Sequence, residues 1–357
     1  MRYASIMAGG SGTRLWPMST SNKPKQLLRF INGQSLLSTS AGRLLGLIDP
    51  QNLFVCTSNS YAEKVYADLP FLAANRLLGE PMGRDTLNAV GFSAAVIHKI
   101  DSHATLAILT ADHLITPVAE FQRMLKLAFD LAEAKPEYLF TFGITPTYPA
   151  TGFGYLESGQ PIAGIARQVA AFREKPDAAT AKAYVSSGNY LWNSGMFVWK
   201  TATILEQIRI HQPAAYAGLQ HIADAYGTSN FERVVGEIYP TLPKISIDYA
   251  IMEKAPHVAT IPMNVDWLDV GSWSSYAQTL APDAEGNRSS MANLLAIDSS
   301  GVVAVSDEPH LIAVVGLKDI VVVNSGNVTM VCPVDQSEKV KLLAQAAQKA
   351  YPHGYTR

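Results

Sequence analysis

The sequence predicts an α/β protein with a mixed, mainly parallel sheet flanked by helices, followed by a small all-β unit and a closing helix. Three observations predict it. Short apolar runs alternate with helical patterns from Tyr3 to Ile144, which is how crossover units read in a sequence. A glycine-rich turn, Gly9-Gly10-Ser11-Gly12, directly follows the first apolar run. From residue 291 the pattern changes to short β runs separated by Gly, Asp, Asn and Ser.

Taken in order, residues 3–7 read as a first strand and 35–47 as a helix with Leu36, Leu37, Leu44 and Leu45 on one face. Strands at 53–56 and 75–78 enclose a helix at 60–67. A helix at 85–100, rich in small and apolar residues, leads to a strand at 105–109 that ends in Thr110-Ala111-Asp112-His113. An amphipathic helix at 118–134 precedes a strand at 138–144. Beyond 150, strands at 153–157, 169–172 and 192–200 suggest a mixed sheet. Helices are expected at 178–186, 201–210, 214–225, 230–239 and 248–254. The β runs are 302–305, 311–315, 320–323 and 328–331, and 337–350 closes the chain as a helix. The polar, turn-rich stretch 282–287 sets the expected boundary between domains 1–284 and 285–357.

Composition narrows the function classes. The chain has 357 residues, 48% of them hydrophobic, enough for one large core and a smaller one. With 28 basic and 30 acidic residues and no basic run, neither a nucleic-acid nor a membrane partner is expected. No apolar signal region follows Arg2 and no apolar window is long enough to span a bilayer, so a cytoplasmic protein is expected. Cys56 and Cys332 stand in apolar runs without Cys/His metal spacing and read as buried, reduced thiols.

The glycine turn carries the first chemical signal. Gly9, Gly10 and Gly12 let the backbone turn sharply and bring N–H groups against an anion. Thr13, Arg14 and Lys25 add a hydroxyl and fixed positive charge, which suits a nucleoside triphosphate. No Gly-Lys-Ser/Thr follows, so the turn is not a P-loop, and Leu15 replaces the third glycine of a dinucleotide fingerprint. An NAD-binding oxidoreductase is therefore disfavoured.

A triphosphate loop with carboxylates points to nucleotidyl transfer, which needs cations and positioning rather than a nucleophile. Asp112, at a strand end, is a candidate Mg²⁺ ligand or a cap for the helix near 118. Asp269, among apolar neighbours, is a second candidate ligand or a cap for the helix after Gly271-Ser272. Glu174-Lys175 reads either as a sugar-phosphate contact or as a surface ion pair. Asn193 binds a hydroxyl or its own backbone, and Gly152 and Gly154 mark a turn or a close ligand approach. His113 reads as structural or as a polar contact near the nucleotide.

These motifs resemble the sugar-1-phosphate nucleotidyltransferases, and among them the mannose-1-phosphate guanylyltransferases. The carriers are Ala8-Gly9-Gly10-Ser11-Gly12-Thr13-Arg14-Leu15-Trp16-Pro17 and Pro24-Lys25-Gln26. With them stand Glu80-Pro81-Met82-Gly83-Arg84-Asp85-Thr86, Ala111-Asp112-His113, Phe172 to Pro176, Asn193 to Phe197, Ser246 to Tyr249, and Asp266 to Trp273. The resemblance implies a Rossmann-like catalytic domain and a left-handed β-helix-like C-terminal domain. It implies GTP and mannose 1-phosphate as substrates, GDP-mannose and pyrophosphate as products, Mg²⁺ as cofactor and a homodimer through the small domain. The site residues it implies are Arg14 and Lys25 for catalysis and Asp112 and Asp269 for metal. Ala8, Gly9, Gly10, Gly12, Thr13, Glu80, Gly83, Arg84, Asp85, Thr86, Asn88 and Asp112 would bind nucleotide. Gly154, Glu174, Lys175 and Asn193 would bind the sugar phosphate. The chain departs from the family pattern at Thr110, Asp85, Leu87-Asn88, Ala150 and Asn324-Ser325. Asp85 and Asn88 bear on base selectivity and Ala150 on the sugar pocket. Another sugar or base, or a catalytically weak binding homologue, are the rival expectations.

Overall fold

A computed structural model describes residues 1–10, 12–30, 33–351 and 354–355; Ser11 of the glycine turn lies outside the described residues. By contacts the chain forms two compact units, each assembled from separated segments. One comprises Met1–Gly9, Ser40–Ala111 and Ile115–Trp267; the other comprises Gly10–Thr39, Asp112–Leu114 and Leu268–Arg357.

The first unit is built on a nine-stranded sheet. Its strands run in the order Leu77–Glu80, Leu53–Ser58, Arg2–Met7, Thr105–Thr110, Tyr190–Lys200, Leu139–Ile144, Val258–Met263, Ala166–Arg173 and Tyr155–Ala163. The pairings make Tyr190–Lys200 and Ala166–Arg173 the strands that run against the rest, so the sheet is mixed and mainly parallel. Arg2–Met7 is buried at every interior position, as a central parallel strand covered on both faces must be. Its one interior polar side chain, Ser5, meets the Ser93 hydroxyl at 2.9 Å. Ser93 lies on helix Thr86–Ile100, which is buried from Leu87 to Ile97. Gly91 is needed there because a Cβ would lie 2.5 Å from Leu219 Cδ1. Helix Val118–Ala134 buries Phe121, Met124, Leu125, Ala128, Phe129 and Ala132 on one face, as its periodicity predicts.

Several elements differ from the sequence reading. The expected helix at 35–47 is helical only over Leu36–Gly42, and Gly46 follows at φ +81°. Strand Val258–Met263 was not anticipated, because Pro262 demotes its run. The ladder to Ala166–Arg173 covers only Ala259 and Thr260, so Pro262 lies beyond it. The expected helix at 248–254 is a short π-helix, Asp248–Met252.

In the second unit, Arg288–Ile297, Val303–Val315 and Ile320–Ser325 pair in parallel, and Val328–Pro333 returns antiparallel. The runs at 302–305 and 311–315 belong to one continuous strand. Arg288–Ile297 escaped notice because polar residues interrupt it. Trp273, Tyr276, Val303, Val305, Val321 and Val323 pack with Leu15, Trp16 and Leu28 of the glycine-turn segment into one core. Helix Val340–Ala350 adds Val340 and Ala344 to it. Both cysteines are free; Cys56 is buried, but Cys332 is only half-buried, less covered than expected.

Candidate active-site residues

In the second unit the glycine turn and Lys25 are mutually shaped. Gly10 and Gly12 take φ of +91° and +62°, the region that favours glycine. A Cβ on Gly12 would lie 2.6 Å from Lys25 Cβ and 2.8 Å from Ser19 Oγ, so the lysine passes where only glycine fits. Thr13 and Arg14 form the short turn Thr13–Leu15 that follows. Lys25 Nζ forms an ion pair with Asp112 Oδ2 in a recess where the two side chains are 15% and 20% exposed. His113 Nε2 stands 3.9 Å from Asp112 Oδ1. Asp112, His113 and Asp269 each offer a ligand atom, all within 4.8 Å of one another.

The electrostatics follow from that arrangement. Burial opposes the charge on Lys25, but the carboxylates of Asp112 and Asp269 outweigh it and raise the lysine pKa. Burial likewise works against ionised Asp112, and Lys25 with His113 overcomes it, so its pKa falls. Burial, and then the charge of Asp112, raise Asp269. Neither aspartate is a helix cap. Helix Val118–Ala134 begins after Pro117 without a side-chain cap, and Ser272 caps Trp273–Ala277 in a capping box with Ser275. Asp269 Oδ1 is buried without a hydrogen-bond partner among the described residues. An orphaned carboxylate oxygen facing a second carboxylate suits a hard divalent cation, which would satisfy both. Arg14 acts on this group through its charge, which bears on Lys25 and Asp269, while its Nε pairs with Glu338 Oε2 at 2.7 Å, at the surface.

In the first unit, Ala8 follows the first strand, donating to the Cys56 carbonyl and accepting from Thr57 Oγ1, each at 2.8 Å. Gly9 follows, and a Cβ there would lie 3.3 Å from Glu80 Oε2. Glu80 is buried and accepts from the Tyr239 hydroxyl at 2.5 Å; burial raises its pKa against that bond. Gly83 is exposed, and Arg84 donates to the Pro240 carbonyl. Asp85 holds φ +65° and caps helix Thr86–Ile100 by accepting from Thr86 N–H at 2.9 Å. Thr86 Oγ1 accepts from Ile247 N–H at 2.9 Å. Asn88 is fully buried and donates to the carbonyls of Arg84 and Pro243, at 2.9 and 2.6 Å.

The same unit gathers the predicted sugar-phosphate residues. Asn193, on strand Tyr190–Lys200, donates its backbone N–H to the Gly154 carbonyl at 2.8 Å. Its side chain takes the backbone alternative and adds a carboxylate partner. Oδ1 accepts from Gly195 N–H at 3.2 Å, and Nδ2 donates to Asp248 Oδ1 at 3.1 Å. A Cβ on Gly154 would lie 2.5 Å from Glu174 Oε2, so this glycine makes room for the carboxylate. Lys175, at φ +45°, pairs with Glu174 at 3.0 Å. Gly152 has open space around it. Ala150 is buried, and its carbonyl accepts from the Tyr155 hydroxyl at 2.9 Å.

His113, read as structural or as a polar contact near the nucleotide, was not read as part of the carboxylate group, and Asp248 and Glu338 were missed as participants. His113 adjoins Asp112 in sequence, and no spacing tied it to Asp269. Asp248 was visible only inside a motif. Glu338 stands far along the chain from Arg14, and nothing local links them.

An α/β sheet, a glycine turn with its lysine and a recessed carboxylate group define a nucleotidyltransferase. A family model described as nucleotidyl transferase matches residues 3–286, and one described as a MannoseP isomerase/GMP-like beta-helix domain matches 292–345. The mannose-1-phosphate guanylyltransferase of Escherichia coli K12 is 36% identical over 355 residues, covering 96% of this chain and 73% of the relative. The xanthan biosynthesis protein XanB of Xanthomonas campestris is 34% identical, covering 97% and 73%. A crystal structure from Thermus thermophilus, described as a mannose-1-phosphate geranyltransferase, superposes with a TM-score of 0.87 at 32% identity, covering 97% of this chain and 99% of that one. The chain belongs to the mannose-1-phosphate guanylyltransferase family. Members of the nucleotidyltransferase family generally use a divalent metal. No helix among the described residues is long and apolar enough to cross a membrane.

Proposed function

We propose that this chain makes GDP-mannose and pyrophosphate from GTP and mannose 1-phosphate. The observation that carries the reading is the Lys25–Asp112 ion pair beside the unpartnered Oδ1 of Asp269, on the unit that holds the glycine turn. The attacking phosphate oxygen is already an anion, so no general base is required. The backbone of Gly9, Gly10, Gly12 and Thr13 cradles the triphosphate, and Arg14 and Lys25 neutralise charge on the departing pyrophosphate. Asp112 and Asp269 hold Mg²⁺, which supplies charge neutralisation at the phosphates when bound. Glu80, Gly83, Arg84, Asp85, Thr86 and Asn88 serve the nucleotide; Gly154, Glu174, Lys175 and Asn193 serve the sugar phosphate. The catalytic part comprises 1–284, and the part from 285 to 357 supports a homodimer. GTP as substrate favours the cytosol.

The departures from the family pattern bear on one of the two rivals, a different base or sugar. Asn88 directs its amide N–H groups into the protein, onto the carbonyls of Arg84 and Pro243, and keeps a buried Oδ1 without a partner among the described residues, so of its two polar atoms only that oxygen bears on the base. The test is pyrophosphate release with Mg²⁺ from GTP, ATP, UTP, CTP and dTTP against mannose, glucose and other sugar 1-phosphates. Turnover concentrated on GTP with mannose 1-phosphate supports the reading. A different preferred pair would make Asp85, Asn88 or Ala150 the mark of a changed pocket. No turnover, with nucleotide still bound, would favour a binding homologue.

A further inference from the structure

Asp248 has no part in the reading so far, yet it fixes a residue that does. Asn193 Oδ1 accepts from Gly195 N–H at 3.2 Å and lies 3.0 Å from the Thr141 hydroxyl. A backbone N–H can only donate, so the amide oxygen must face it. Nδ2 then donates to Asp248 Oδ1 at 3.1 Å, leaving a single amide N–H for a ligand. Turning the amide over would set donor against donor at Gly195 and, when Asp248 is ionised, oxygen against oxygen there.

Asp248 opens the short helix Asp248–Met252 and faces Glu174, Lys175 and Asn193, with Tyr249 as the other titratable group beside Lys175. Lys175 already pairs with Glu174 at 3.0 Å, so one cation stands among two carboxyl groups. A sugar 1-phosphate entering here is itself an anion.

We propose that Asp248 is a positioning residue that orients Asn193 for the sugar 1-phosphate and, on ionising, weakens binding of that anion. The inference rests on the proposed sugar-phosphate role of this pocket. Burial, and then the charge of Glu174, push the Asp248 carboxyl up to about 7. Below that pH the group is neutral and the charges of Glu174 and Lys175 offset one another. Above it a second carboxylate opposes the substrate.

The experiment is calorimetric titration of mannose 1-phosphate into the full chain with Mg²⁺ and a non-reactive GTP analogue. Wild type and Asp248→Asn are compared between about pH 6 and pH 8.5. Asparagine copies the neutral acid, and the substrate's own ionisation cancels in the ratio of the two Kd values. That ratio is expected near unity at the acid end and about tenfold higher at the alkaline end. A ratio that is constant with pH overturns the inference and leaves the catalytic reading intact. Absence of binding by any sugar 1-phosphate overturns both. Should the variant not fold, infrared spectra of wild type carrying ¹³C-aspartate decide: a protonated carboxyl band that disappears near neutrality, and at higher pH once mannose 1-phosphate is bound, supports the inference. Its absence overturns it.

Discussion

The Nε of Arg14 lies 2.7 Å from Glu338 Oε2, joining the glycine-turn segment to the stretch that leads into the last helix. Both side chains are well exposed, so the pair contributes within about 0.5 kcal/mol to stability. Its effect falls on ligand binding, because a triphosphate that engages Arg14 competes with Glu338 for the guanidinium. Glu338→Gln is expected to lower KM for GTP about twofold to threefold with the melting temperature unchanged. An unchanged KM would mean that Arg14 meets no triphosphate, or keeps both partners.

Lys25 balances two carboxylates that otherwise face each other in a recess. Lys25→Ala is expected to reduce turnover about 10²- to 10³-fold, the usual cost of losing one group that stabilises developing charge. The sheet does not depend on Lys25, so far-UV circular dichroism stays the same. Without divalent metal the variant should melt earlier than wild type, and Mg²⁺ should restore more of its stability. Full turnover in Lys25→Ala would remove the lysine from catalysis.

The sheet was legible because it obeys local rules. Runs such as 3–7 and 105–109 are apolar throughout, and Val118–Ala134 shows its buried face at helical spacing. Val258–Met263 was not legible, because a proline is acceptable where a ladder has already ended, and only tertiary structure sets that point. The site divides in the same way. Gly12 and Lys25 could be read from the turn and the nearby cation, since each sits within one short stretch. Asp112 and Asp269 could be picked out singly, but whether each was a cap or a ligand depended on Pro117 and Ser272 taking the cap positions. The Asn193–Asp248 and Arg14–Glu338 pairs join distant positions, for which one sequence has no signal.

Asp269→Asn separates the metal role from a structural one. The carboxylate is pushed up by burial and by Asp112, so its charge weakens the metal-free fold as pH rises through the folded pKa. Removing that charge should raise the melting temperature of metal-free protein at neutral pH. The same change should lower Mg²⁺-dependent turnover by at least about tenfold and shift the Mg²⁺ titration to higher concentration. Lower stability together with full activity at low Mg²⁺ would contradict the assignment.

Gly154→Ala tests the sugar-phosphate pocket without removing a charged group. Its Cβ would lie 2.5 Å from Glu174 Oε2 and 3.5 Å from Asn193 Cβ. The first contact is shorter than van der Waals packing allows, so the Glu174 carboxylate must move. Its partner Lys175 is exposed and follows readily. KM for mannose 1-phosphate is expected to rise about tenfold, a loss of binding on the order of 1.4 kcal/mol, with KM for GTP within twofold of wild type. A change of equal size in both constants would place Glu174 outside the sugar-phosphate contact and make the glycine a purely structural requirement.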